Sequence, residues 1–193
     1  ASSSRSSWKN GSVSEIGSGL APAAASDSGK LIYAFSTDYK TLYTVTPDGK
    51  SKNKICDYAD RGMYLTRDLS QAVFSSDSGT YICSSGKVRK LILSNAYAAP
   101  LMNETDSAAC LDEKHSVYIT NYNDLSDMYY EYISQDGVKG ICFMDSSFSS
   151  ADISGGIEYA CVSKNEKTAV FTSTDKKLYK SKNGKEAKLI EEY

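Results

Sequence analysis

Histidine and tryptophan each occur once in this 193-residue chain, proline occurs three times, and no Cys-x-x-Cys pair is present. A single His rules out a histidine-rich metal centre, and the missing Cys pair removes the usual zinc signature. The cysteines Cys56, Cys83, Cys110, Cys142 and Cys161 are odd in number, which gives a disulfide framework little support. Each has apolar or aromatic neighbours, so small buried, reduced hydrophobes account for all five. No apolar run approaches the roughly 20 residues that span a bilayer, and no signal-peptide core is seen. Neither charge sign is in excess. With 22 basic against 24 acidic residues, no basic field exists to condense on phosphates, and nucleic-acid binding is disfavoured. There is no Gly-x-Ser-x-Gly, no His-Glu-x-x-His and no P-loop, so no catalytic residue, cofactor site or metal-ligand set is nominated.

What the chain has in quantity is tyrosine, 15 residues of it, a residue that suits half-buried strands. It also has a repeat. The segment beginning Gln71-Ala-Val-Phe74 and the segment beginning Thr168-Ala-Val-Phe171 share one plan: apolar strand, polar turn, Tyr-bearing strand, Gly-Lys turn, strand ending Leu-Ile. The plan recurs from Leu31 and again from Val117, with turn glycines Gly49, Gly86, Gly137 and Gly184 spaced by 37, 51 and 47 residues. A small-residue strand precedes each unit, at 19–25, 62–65, 108–111 and 157–162. Four short strands per roughly 45 residues predict an all-β, propeller-like array of four-stranded antiparallel blades. Residues 1–7 read as a flexible Ser-rich stub. Residues 8–193 read as one domain with repeats near 19–56, 62–93, 108–142 and 157–193, after a partial copy at 9–16. Helical turns are expected only at 94–102 or 148–153.

The run Pro22-Ala-Ala-Ala-Ser-Asp-Ser-Gly-Lys-Leu-Ile-Tyr33, followed by Leu42-Tyr43 and Asp48-Gly49, resembles the TolB-type (WD-like) propeller repeat. The equivalent turns Asp68–Gln71, Asp112–His115 and Lys164–Lys167 are polar but lack its Gly. The resemblance covers about residues 19–193 and implies a fold, not a ligand.

His115 sits in a turn with no catalytic partner beside it, and is read as solvent-exposed. The turn aspartates Asp38, Asp77, Asp124 and Asp175 are read as capping their own turns rather than ringing a cation. Tyr43, Tyr81, Tyr132 and Tyr179 repeat, so packing between blades accounts for them. Segments that break the repeat are better candidates for function, because binding residues concentrate on variable loops held by a rigid scaffold. These are 57–61, 94–107, 121–127 and 145–156, and they carry Tyr58, Arg61, Tyr97, Met102, Tyr122 and Phe148. Aromatic and Arg enrichment marks binding patches. The expected function is a non-catalytic binding module whose partner is a protein, a peptide or a cell-envelope polymer. No insertion into a membrane by this chain itself is expected, and an extracytoplasmic setting is favoured. Two alternatives stand beside it: an enzyme using Glu158 or Asp60, and a spacer or sensor domain of a membrane-anchored protein.

Overall fold

The computed structural model describes residues 4–9, 12–26, 29–57, 59–84, 88–102, 105–110 and 116–192, and of 4–9, 12–16, 59–61, 88–89 and 105–110 the backbone alone. All regular structure among the described residues is strand. An N-terminal hairpin pairs β1 (Ser4–Lys9) with β2 (Ser12–Ser18). The first four-stranded sheet is β3 (Leu20–Ala25), β4 (Ile32–Ser36), β5 (Thr41–Val45) and β6 (Lys52–Asp57), in that order. The second is built from β7 (Ala59–Leu65), β8 (Gln71–Ser76), β9 (Gly79–Ser84) and β10 (Val88–Ser94). The third opens with β11 (Ala96–Pro100). An inserted hairpin follows, β12 (Thr105–Cys110) and β13 (Ser116–Thr120), before the sheet resumes with β14 (Met128–Ser134), β15 (Lys139–Met144) and β16 (Ser150–Gly155). The fourth is β17 (Ile157–Val162), β18 (Thr168–Ser173), β19 (Lys177–Lys182) and β20 (Lys188–Glu192). The architecture is thus a propeller-like array of four-stranded antiparallel sheets.

Consecutive sheets stack face to face, and each interface is an apolar core. Tyr33, Phe35 and Leu42 of the first sheet meet Met63, Leu65, Ala72, Phe74 and Tyr81 of the second. Val73, Ile82 and Ile92 on the other face of the second meet Ala98, Met128, Tyr130 and Cys142 of the third. Tyr129, Ile141 and Phe143 then meet Ile157, Ala169 and Phe171 of the fourth. Strand alternation does this work: successive side chains in β8 serve opposite interfaces, Ala72 and Phe74 one, Val73 the other. The repeated tyrosines are part of the same packing. Tyr81 stacks on Phe74 and Tyr179 on Phe171, with ring centroids 5.9 and 5.6 Å apart.

One turn recurs throughout. A Ser or Thr hydroxyl donates to the carboxylate two residues on, as in Ser36–Asp38, Thr46–Asp48 (2.7 Å), Thr66–Asp68 (2.8 Å), Ser134–Asp136 and Ser173–Asp175. The carboxylate accepts a main-chain N–H two residues further, from Lys40, Lys50 and Ser70 in the first three. The hydroxyl in turn accepts the N–H that opens the next strand, from Thr41, Ser51 and Gln71. The residue after the Asp takes positive φ and donates back to the first residue's carbonyl. Glycine fills that position at Gly49 and Gly137, where the lack of a Cβ makes the conformation free of strain. Elsewhere Tyr39, Leu69, Glu166 and Lys176 hold it, with φ between 57 and 65°. Leu69 is 1 % exposed, embedded in the first interface.

Four expectations are corrected. Ser4–Ser7, assigned to a flexible stub, lies in the strand β1, whose main chain pairs antiparallel with β2. Residues 108–111 do not open the third unit. That role belongs to Ala96–Pro100, equally rich in small residues, while 105–120 forms a hairpin whose β13 adds to β7 of the second sheet in parallel. Segments 94–102 and 148–153 accordingly contain strands rather than helical turns. Finally, Cys56, Cys83 and Cys142 are buried free thiols but Cys161 is exposed. A one-residue bulge at Glu158 lets Ala160 and Val162 point inward to the third interface, so alternation turns Tyr159 and Cys161 outward. The side chain of Cys110 and all of His115 lie outside the described residues.

Two outcomes follow from this packing. Leu69→Gly relieves a positive-φ residue, worth about 1 kcal/mol, but empties a buried leucine site, worth about 2–5 kcal/mol. Urea unfolding is expected to show a net loss of about 1–4 kcal/mol, and a more stable variant would refute the packing role of Leu69 in the first interface. Site-resolved thiol labelling of the native protein at pH 8 is expected to modify Cys161 well before Cys56, Cys83 and Cys142.

Candidate functional site

A cleft of about 160 Å³ is lined by residues of the second and third sheets. Gly62 and Tyr64 of β7 and Ser75 of β8 come from the second sheet, and Tyr97, Ala98 and Ala99 of β11 with Glu131 and Ile133 of β14 come from the third. The second-sheet side is stiffened. Tyr64 lies directly across the parallel β7–β13 pair from Tyr118, and their rings stack 4.9 Å apart at 13°. Gly62 leaves room for that stack: a Cβ there would stand 3.3 Å from the Tyr118 ring and 3.4 Å from the Tyr64 ring. The register is held by Thr120, whose hydroxyl donates to the Leu65 carbonyl at 2.8 Å.

The β11 side of the cleft is a sheet edge, and it is closed to an added strand. The Thr80 hydroxyl donates to the Ala96 carbonyl at 2.8 Å and accepts the Ala98 N–H at 2.9 Å. Pro100, next in line, has no N–H to offer. An incoming strand would therefore meet an interrupted ladder at this edge.

Among the described residues, Glu131 is the one charged residue lining the cleft. Its Oε2 pairs with Lys139 Nζ at 2.9 Å, and Lys139 also donates to the Glu158 carbonyl at 3.1 Å. Both side chains are about two-thirds buried, so the pair is partly screened from water. Burial pushes the Tyr64 hydroxyl up to about 12, with Tyr118 and Glu131 adding to the rise. Its phenol therefore stays protonated.

Of the sequence-nominated residues, Tyr97 lines the cleft. Met102, Tyr122 and Phe148 are half-buried against the second interface core. Phe148 has positive φ (58°) and occupies the same turn position as Leu69. The loop bearing Tyr122 is pinned to the second sheet: the Tyr122 carbonyl accepts Arg67 N–H at 2.9 Å, and Gln71 Oε1 accepts Leu125 N–H at 3.0 Å. Tyr58 and the side chains of Asp60 and Arg61 lie outside the described residues. Glu158 pairs with Lys176 at 2.5 Å. Tyr64, Tyr118 and Glu131 were not nominated. The sequence carried one signal for them, a lone carboxylate inside the aromatic strand Met128-Tyr-Tyr-Glu-Tyr-Ile-Ser134.

No family model matches this chain, and no curated protein matches it. Solved structures do. It is similar to a putative TolB from Agrobacterium tumefaciens, at 16% identity over 94% of this chain and 66% of that one, with a TM-score of 0.40. It is also similar to apo AztD from Citrobacter koseri, at 12% identity over 96% of this chain and 50% of that one, with a TM-score of 0.45. A regucalcin from Agrobacterium tumefaciens, described as calcium-binding, is 12% identical over 87% and 57%, with a TM-score of 0.39. The chain thus spans about half to two-thirds of the length of these proteins.

The buried acids around the cleft set a pH response. Burial pushes the Cys142 thiol up to about 12, and burial, then a hydrogen bond to Asp152, does the same for the Tyr132 hydroxyl. With Tyr64 these groups hold their protons in the folded chain to a higher pH than in the unfolded chain. Their contribution is intact below about pH 8.5, the ordinary thiol value, and is lost as pH rises toward 12. The urea midpoint is expected to fall steadily from pH 9 to 11, less steeply in Tyr64→Phe. A flat profile would contradict the assigned burial.

Proposed function

We propose that this chain is a non-catalytic binding module on a propeller-like scaffold, and that the cleft lined by its second and third sheets receives one side chain of a protein or peptide partner. The observation that carries this reading is a preformed aromatic cleft beside a sheet edge where Thr80 already engages the Ala96 carbonyl and the Ala98 N–H. Size favours a single side chain. Sites for free small molecules run to roughly 300–1,000 Å³, and this cleft is about 160 Å³. Stiffness favours recognition. Stacked Tyr64 and Tyr118 lose little freedom when a ligand lands, which is why rigid aromatics so often anchor interfaces. Catalysis would need an activated nucleophile or a second carboxylate poised against Glu131, and neither is found among the described residues of the lining.

A displayed peptide library tests the reading. Peptides selected on the parent protein are expected to lose affinity roughly thirtyfold, about 2 kcal/mol, in Tyr64→Leu and comparably in Ala99→Leu, which fills the cleft. Tyr179→Phe, in the third interface, should bind like the parent. Equal binding by Ala99→Leu and the parent would move the site elsewhere. A hydrolytic turnover abolished by Glu158→Gln would replace the binding reading with the enzyme one.

A further inference from the structure

We infer that the open face of the fourth sheet is a self-association surface, on which a second copy of this chain seats the same face about a two-fold axis. Ala169, Phe171 and Tyr179 belong to the third interface, so alternation turns Val170, Thr172, Leu178 and Lys180 to the other side of the sheet. Strand register extends that side into two rows. One row is Cys161, Val170, Lys180 and Lys188, and the other is Tyr159, Thr172, Leu178 and Glu191. The second sheet has the same plan with its face covered. Val73 and Ile92 there hold the positions of Val170 and Ile190, and Ile92 and Ile190 are both skipped by the ladder of the last strand. The third sheet packs on Val73 and Ile92 and leaves them 0 and 5 % exposed. On the fourth sheet Ile190 is 51 % exposed and Tyr159 74 %.

Charge identifies the occupant. Lys180 and Lys188 stand directly opposite each other, and like charges so placed destabilise a strand pair. Among the described residues, no ion pair engages Lys180, Lys188 or Glu191. One row of the face thus lacks an anion and the other lacks a cation. A two-fold axis running across the strands, midway between the rows, sets each row over the other row of the second copy. Lys188 then meets Glu191 of the second copy, and by symmetry the contact occurs twice. Tyr159 comes over Cys161 in the same way. Head-to-tail stacking is closed off, because the far face of the first sheet is already covered: Leu20, Ala34 and Val45 are 1 % exposed or less. Four strands of this length make a face of roughly 20 by 20 Å, about 400 Å² per copy. A standard interface buries about 800 Å² per partner, so this association is weak and reversible.

Sedimentation velocity of the full chain, from about 5 to about 500 µM, tests the inference. The mass is expected to rise from that of one chain toward that of two, and less so at high salt. Lys188→Glu alone and Glu191→Lys alone should each weaken association about tenfold. Both substitutions in one chain should restore it. Mixing the two single variants should restore it as well, because the two-fold pairs each site with the other. The substituted residues are exposed, and circular dichroism checks that the fold is kept. Labelling of Cys161 by a thiol reagent should slow severalfold in the parent as concentration rises, and not in either single variant. The mass of one chain at every concentration overturns the inference. So does association that ignores both substitutions and leaves Cys161 equally reactive, which puts the contact on another face. Weakening in the single variants without recovery in the double variant or the mixture overturns the two-fold register.

Discussion

The fold hangs on the hydrogen bond from a Ser or Thr hydroxyl to the carboxylate two residues later. That bond closes a six-residue turn whose last N–H returns to the same hydroxyl, so one oxygen both starts and finishes the turn. The geometry fixes where the next strand begins, and with it which residues face which neighbouring sheet. A slip of one residue would exchange the two faces of a strand, and in β8 it would swap Phe74 for Val73 between two cores. These bonds favour the ionised carboxylate, so Asp38, Asp48, Asp68, Asp136, Asp145 and Asp175 are all held below the usual aspartate range by hydrogen bonds from their own turns. A group with a depressed folded value contributes stability above its unfolded value and loses it as pH falls through the folded one. Acid therefore loosens the turns before it touches the apolar interfaces.

Stacked open sheets raise a second constraint, since each has edges that could recruit foreign strands. The chain meets this differently at each inner edge. β3 carries Pro22 and a bulge next to it. β7 is covered by the parallel strand β13. β11 has Pro100 and the Thr80 hydroxyl. β17 has a bulge at Glu158, whose carbonyl accepts Lys139 Nζ. Two of the three prolines thus serve edge strands, and the third, Pro47, serves a turn. A low proline count is consistent with a protein whose other strands need every N–H for the ladder.

The first, second and fourth sheets were legible because their strands follow one another in sequence with the turn between them. Apolar alternation and Asp-Gly or Ser-x-Asp chemistry are local signals, and they located β4, β5, β8, β18 and β19 within a residue or two. The third sheet was misread for a physical reason. Ala96–Pro100 and Ala108–Cys110 are both small-residue runs, and composition cannot tell which of them pairs with β14. The choice rests on contacts 34 and 54 residues apart in sequence, Ala98 against Tyr132 and Val117 against Met63. The site was legible only through Tyr97. Tyr64 and Glu131 belong to different sheets, and each looked like an ordinary strand residue.

The inserted hairpin that defeated the sequence reading is also what makes the cleft. An unmodified repeat would run from β11 straight to β14, and the inner edge of β7 would stay bare. Inserting 105–120 lays β13 along that edge, and its register sets Tyr118 directly opposite Tyr64. Without that backing Tyr64 would have a free face on both sides and several rotamers within reach. With it, Tyr64 is stacked on a ring 4.9 Å away and still lines the cleft. Residues common to all the sheets serve stacking and turns, which every sheet needs equally. The one wall that could discriminate between ligands is built where a single sheet departs from the others, so the departure from periodicity, rather than the repeat itself, is where selectivity has room to arise.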